Sequence, residues 1–107
     1  MSERKPVSSI ESVQISIAKT NSPSLQIDID ASYSAGGWSG PALNYRQYVT
    51  PPEDGIYEAT LDADPPTDMA SQAIVPFKHS ETWANFPTEY LKGILIMSKS
   101  NSVKAVL

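Results

Sequence analysis

The amino-acid sequence predicts an all-β protein: a single antiparallel β-sandwich of about seven short strands, immunoglobulin-like, with a small barrel as the alternative. Three observations carry that expectation. Apolar and polar residues alternate with a period of two along several stretches. Proline, glycine and small polar residues cluster between those stretches, where turns belong. Nothing repeats at a fixed longer period, which argues against a solenoid or propeller.

Residues 1–9 are polar, carry Pro6 and read as a flexible lead-in to one domain over 10–107. Val13, Ile15 and Ile17 then alternate with Gln14, Ser16 and Ala18, the signature of a half-buried strand. A turn cluster, Thr20-Asn21-Ser22-Pro23-Ser24, follows. Beyond it Leu25, Ile27, Ile29 and Ala31 share one face, and Gln26, Asp28 and Asp30 the other. Two such runs around a short turn predict an antiparallel hairpin. Three of the five glycines fall between Ser34 and Pro41, so the chain bends sharply there or approaches another backbone closely. Leu43 to Val49 reads as a strand carrying Tyr45 and Tyr48. Pro51-Pro52-Glu53-Asp54-Gly55 ends it, and Ile56 to Leu61 is the next strand.

Asp62 to Asp68 is expected to be a proline-stiffened loop. Ala73 to Phe77 is apolar enough for a strand, but Pro76 cannot donate to a ladder and marks an edge or a bulge. Ser80 to Phe86 reads as a helical turn, capped by Ser80 and closed by Pro87. Leu91 to Met97 is apolar on both faces and belongs in the middle of a sheet. Val103 to Leu107 is the last strand.

Gly36-Gly37-Trp38, then Pro51-Pro52-Glu53-Asp54-Gly55-Ile56-Tyr57, and the ending Leu91-Lys92-Gly93-Ile94 with Asn101-Ser102-Val103, together resemble a group of short bacterial all-β proteins. The likeness runs from residue 10 onward and rests on turn chemistry. It implies the fold; it carries over no site and no activity.

With 107 residues, 40% hydrophobic and 19% charged, the chain has ordinary globular composition and the size of one domain. The absence of cysteine removes disulfides, thiolate metal sites and thiol nucleophiles. A formal net charge of −4, with scattered basic residues, repels phosphate backbones, so no nucleic-acid partner is expected. No apolar run approaches the roughly 18 residues that cross a bilayer, so no membrane partner is expected. The N-terminus has two basic residues but no apolar run after them. A cytoplasmic address without a signal peptide is the expectation.

The only histidine, His79, is expected to be a partly exposed loop residue. Gly37-Trp38-Ser39-Gly40 lacks the spacing of a nucleophile elbow, and no catalytic residue is assigned. Asp28 and Asp30 point from one strand face, as a catalytic acid pair or a solvated strand face would. A hydrolase working with carboxylates alone is the least favoured reading.

Asp62, Asp64 and Asp68 share one expected loop and are candidate metal ligands, hard oxygens suited to Ca²⁺; no other cofactor is expected. Tyr33, Trp38, Tyr45 and Tyr48 are the candidate surface for a partner or ligand, weighed against core packing for Trp38 and Trp83. Among the edges, Val103 to Leu107 has only Lys104 to protect it. It is the expected contact for a protein partner or a second copy. The expected function is therefore a non-enzymatic binding or interaction module. The alternative is a carbohydrate-binding module using exposed aromatics, with or without Ca²⁺.

Overall fold

The structure, a computed structural model, describes residues 4–19, 23–66, 73–84 and 86–107. Eight strands follow one another: β1 (Lys5–Pro6), β2 (Ser9–Ala18), β3 (Ser24–Tyr33), β4 (Ser39–Tyr45), β5 (Ile56–Asp64), β6 (Val75–Ala84), β7 (Gly93–Met97) and β8 (Ser102–Val106). They form two sheets, one of five strands and one of three in the order β2-β3-β6. The sheets pack face to face and neither closes on itself. The chain is a β-sandwich, and the barrel alternative falls away. Among the described residues no helix is long and apolar enough to cross a membrane.

The hairpin forms as the alternation predicts. β2 pairs with β3 from Ser9↔Ser32 to Ala18↔Ser24, with a bulge between Ile10 and Ser12 where Glu11 is the extra residue. Leu25, Ile27, Ile29 and Ala31 of β3 turn inward and are buried. Across the interior they meet Tyr57, Ala59, Leu61 and Ala63 of β5, with Ile94 and Ile96 of β7 beside them. Each fully buried aliphatic side chain contributes about 1.5–3 kcal/mol, so these faces hold the sandwich together.

β5 is the hub of the larger sheet. β4 pairs along one side of it; β7 and then β1 share the other, β7 along Ile56–Thr60 and β1 along Asp62–Ala63. The β5–β7 pair is parallel, which departs from the wholly antiparallel expectation. Its cause is the connection. The chain leaves β5 at Asp64, returns along β6 in the other sheet, and re-enters beside β5 running the same way. β7 does lie between two strands, as its two apolar faces predict.

Three further expectations are corrected. The lead-in is part of the sandwich from Arg4 onward: Val7 is fully buried, donates its N–H to the Leu61 carbonyl (2.9 Å) and accepts from Lys99 N–H (2.9 Å). The helical turn expected over Ser80–Phe86 is not found among its described residues. Ser80 to Ala84 instead continues β6, and the Ser80 hydroxyl donates to Asp28 on the neighbouring strand (2.6 Å). β6 is nonetheless an edge strand, as Pro76 requires. Finally, β4 begins at Ser39 and ends at Tyr45, which leaves Tyr48 in the following loop. A bulge between Ser39 and Ala42 accommodates Pro41.

Two glycines are demanded by backbone geometry. Gly37 has φ +88° and sits where a Cβ would meet Pro66 Cβ at 2.9 Å; Gly55 has φ +72°, and a Cβ there would meet the Tyr90 carbonyl oxygen at 2.7 Å. The sharp bend expected at Gly36-Gly37 is therefore real.

One side of the sandwich is stitched from the β7–β8 turn, where Ser100 donates its N–H (3.1 Å) and its hydroxyl (2.7 Å) to the Ser8 carbonyl. Asn101, in the β7–β8 turn, donates its amide to the Ile10 carbonyl (2.8 Å) and accepts from the Ile10 N–H (2.8 Å). It does what an adjacent strand would do for β2, a sheet edge next to the bulge. Replacing it leaves two polar groups of a buried residue unsatisfied. Asn101→Ala should lower the unfolding free energy by about 1–3 kcal/mol, read from the urea midpoint at unchanged slope. An unchanged midpoint would mean that Asn101 carries no such role.

Candidate functional site

The four aromatic candidates do not share a surface. Tyr33, at the end of β3, is buried; its ring stacks on Phe77 (4.0 Å between centroids) and on Trp38 (5.6 Å). As an exposed contact Tyr33 is therefore corrected. The inward face of β3 runs on to its last residue, and the Gly36-Gly37 bend folds Trp38 back over the ring. Tyr45 and Tyr48 lie at the opposite pole. Tyr45 pairs with Ala59 near the start of β5, while Ser39 pairs with Asp64 at its end.

At that second pole Tyr45 and Tyr48 meet Trp83, weighed above as a core residue, and Tyr57 of the next strand. Trp83 on β6 stacks on Tyr45 at 4.6 Å, and so joins the two sheets. Tyr57 on β5 meets Trp83 edge to face at 6.1 Å and Tyr48 at 5.1 Å. These four rings line a cleft of about 390 Å³, with Pro87, Arg46 and Gln47 at its margin. The signal for Trp83 was present in the chain: Val75, Phe77 and Trp83 fall on one parity of a strand, and Tyr57 on the parity of Ala59 and Leu61.

Polar contacts hold the cleft's walls. The Tyr48 hydroxyl accepts from the Glu58 N–H (3.1 Å) and donates to the Glu58 carboxylate (3.3 Å). Arg46 donates to the same carboxylate at 2.6 Å and lies 5.4 Å over the Tyr48 ring. The Tyr45 hydroxyl donates to Glu81 at 2.7 Å. Burial first, and then that hydrogen bond, push the Tyr45 hydroxyl far above its ordinary range.

Glu81 lies on the inward face of β6, with His79 two residues before it on the same face. The expected loop histidine is thus a strand residue, 16% exposed, 2.9 Å from Glu81. The third contact of that carboxylate is structural: Leu43 N–H, on the open side of β4, donates to Glu81 at 3.1 Å. One carboxylate thereby joins the edges of both sheets and orients a cleft ring. Burial opposes its charge, but the hydrogen bonds from His79, Tyr45 and Leu43 outweigh burial and hold its pKa below the ordinary value.

Asp62 and Asp64 stand on β5 rather than on a loop, because the inward alternation of Ala59 and Leu61 continues through Ala63. Asp64 pairs with Arg4 at 3.5 Å, and Asp62 accepts from Asn44 at 3.4 Å. Asp68 lies outside the described residues. Among those residues no three metal-ligating side chains converge. Asp28 and Asp30 do share the outer face of β3. Asp28 accepts from Ser80, and Asp30 accepts from Ser12 (2.9 Å) with Lys78 at 3.8 Å, so cross-strand neighbours occupy both. β8 ends its sheet with Val106 and Leu107 exposed and Lys104 pointing outward.

The pKa of Glu81 gives a pH dependence. Its folded value lies below that of the unfolded chain, so its contribution is fully present above the ordinary carboxylate range. It is lost as the pH falls through the lowered value. Glu81→Gln should cost about 1–3 kcal/mol at neutral pH, and the gap between variant and parent should close on acidification. Urea unfolding at a series of pH values reads this; a gap independent of pH would contradict it. No family model, curated protein or solved structure matches the chain.

Proposed function

We propose that this chain is a non-enzymatic binding module that seats its ligand in the cleft between β4, β5 and β6. One observation carries the reading: two sheets each contribute rings to a single recess, Tyr45 and Tyr57 from one and Trp83 from the other, with Tyr48 from the loop after β4. Apolar recesses with a few polar groups at the rim are where small ligands bind, and large rigid aromatics supply contact area at little entropic cost. Gln47 and Arg46 provide the rim donors. The recess is also held in shape before any ligand arrives, through Glu58 and Glu81, which favours affinity. The Asp28–Asp30 face has no comparable support. Its groups are satisfied by one another, as on any solvated sheet.

Chemical-shift mapping with a panel of neutral oligosaccharides, proline-rich peptides and small organic cations tests the reading. Signals of Tyr45, Tyr48, Trp83 and the Gln47 side chain should move saturably with one class. Tyr48→Ala should then weaken that ligand by at least about tenfold, the usual loss for a central aromatic contact. Shifts confined to other surfaces, or none with any class, would overturn it.

A further inference from the structure

The open edge of β8 has a regular chemistry of its own. Leu107 donates its N–H to the Lys92 carbonyl (2.9 Å), and Val103 and Ala105 stand opposite Ile96 and Ile94 in the same ladder. Backbone groups alternate sides along an antiparallel pair, so these three odd-numbered residues turn theirs toward β7. Lys104 and Val106 present their N–H and C=O groups on the far side, where no described residue takes them. Side chains alternate as well. Ala105 is buried and Val103 half-buried on the inward face, while Lys104 and Val106 stand on the outer one.

The other edges carry obstacles that β8 lacks. β6 has Pro76 and the inward Glu81; β4 has Pro41 and a bulge. β1 is two residues long, and the Arg4 guanidinium beside it donates to the carbonyls of Gly40 (2.7 Å) and Asp62 (2.8 Å). β2 is bulged at Glu11 and gives both groups of Ile10 to Asn101. β8 contains no proline, bulge or inward charge. Val106 is 64% exposed and Leu107 53%, against 39% for Ile17 on β2. Such an edge accepts a further strand.

The residues of β8 select which strand. Two copies of β8 about a two-fold axis run antiparallel, and their free groups meet only where even-numbered residues oppose one another. Lys104 opposite Lys104 of a second copy sets like charges face to face. Lys104 opposite Ser102 leaves Val106 and Leu107 uncovered. Lys104 opposite Val106 avoids both faults. Lys104 and Val106 then exchange hydrogen bonds on each side of the axis, Ala105 meets its own counterpart, and Leu107 lies across from half-buried Val103. The inward apolar face thereby runs on from one copy into the next.

We infer that the chain pairs with a second copy of itself through β8, in the register that sets Lys104 of each copy opposite Val106 of the other. The ladder covers Val103 to Leu107, short enough for the dimer to be transient. It lies at the opposite edge of the larger sheet from β4, and is independent of any ligand in the cleft.

Sedimentation of the full chain from about 10 µM to about 1 mM, with amide exchange followed over the same range, tests this. The average mass should rise with concentration from one chain toward two, and exchange at Lys104 and Val106 should slow in step. Val106→Lys, at an exposed position, sets lysines against each other and should weaken association by about fivefold or more. Val106→Glu sets a carboxylate against Lys104 and should strengthen association by about the same factor at low salt, although it adds negative charge to a chain of net charge −4. A single-chain mass across the whole range overturns the inference. So does a dimer that Val106→Glu fails to strengthen, or one that leaves exchange at Lys104 and Val106 unchanged.

Discussion

An open sandwich has a difficulty at its sides: each sheet ends in strands whose outward N–H and C=O groups have no neighbouring strand. Here two polar side chains answer for them. Asn101 takes both backbone groups of Ile10 on one side, and Glu81 takes the N–H of Leu43 on the other. Both positions adjoin the core, where a lone polar group costs far more than a hydrogen bond gains. Apolar burial brings the sheets together, but it has no direction. These two polar contacts, together with the bonds from Lys99 to Val7 and from Ser100 to Ser8, give the packing its direction.

The Glu81 contact reaches further than the Asn101 contact. Its carboxylate also receives Tyr45 and His79, so the geometry of one side of the sandwich and the wall of the cleft are set by the same group. An inward-facing charge on an edge strand also discourages that strand from pairing with another chain. In β6 the same residue thus serves to blunt an edge, bridge two sheets and position a ring.

The parts of the fold legible in the sequence were those in which burial alone dictates residue type. The β2–β3 hairpin, β5 and β7 follow from Val13 to Ile17, Leu25 to Ala31, Tyr57 to Leu61 and the apolar run of β7. β6 was hidden for a physical reason. Two of its five inward positions are His79 and Glu81, so the alternation breaks where the polar bridge sits, and Ser80 with Pro87 imitates the ends of a helix. β1 is two residues long, too short for any periodicity, and Val7 and Arg4 hold it by contacts distant in sequence. Of the cleft, Tyr45 and Tyr48 were legible as candidates. Their separation from Tyr33 and Trp38, and their union with Trp83 and Tyr57, depend on strand order, which a single sequence does not display.

Amide hydrogen exchange at Ile10 and Leu43 measures the two bridges most directly. Both residues lie on strands with an open side, yet their N–H groups donate to Asn101 and Glu81. The account predicts slow exchange at both, comparable with the central strand β3, and selective acceleration at Leu43 in Glu81→Ala, which removes the acceptor. Exchange at either amide as fast as at an unpaired edge position of β8 would contradict it.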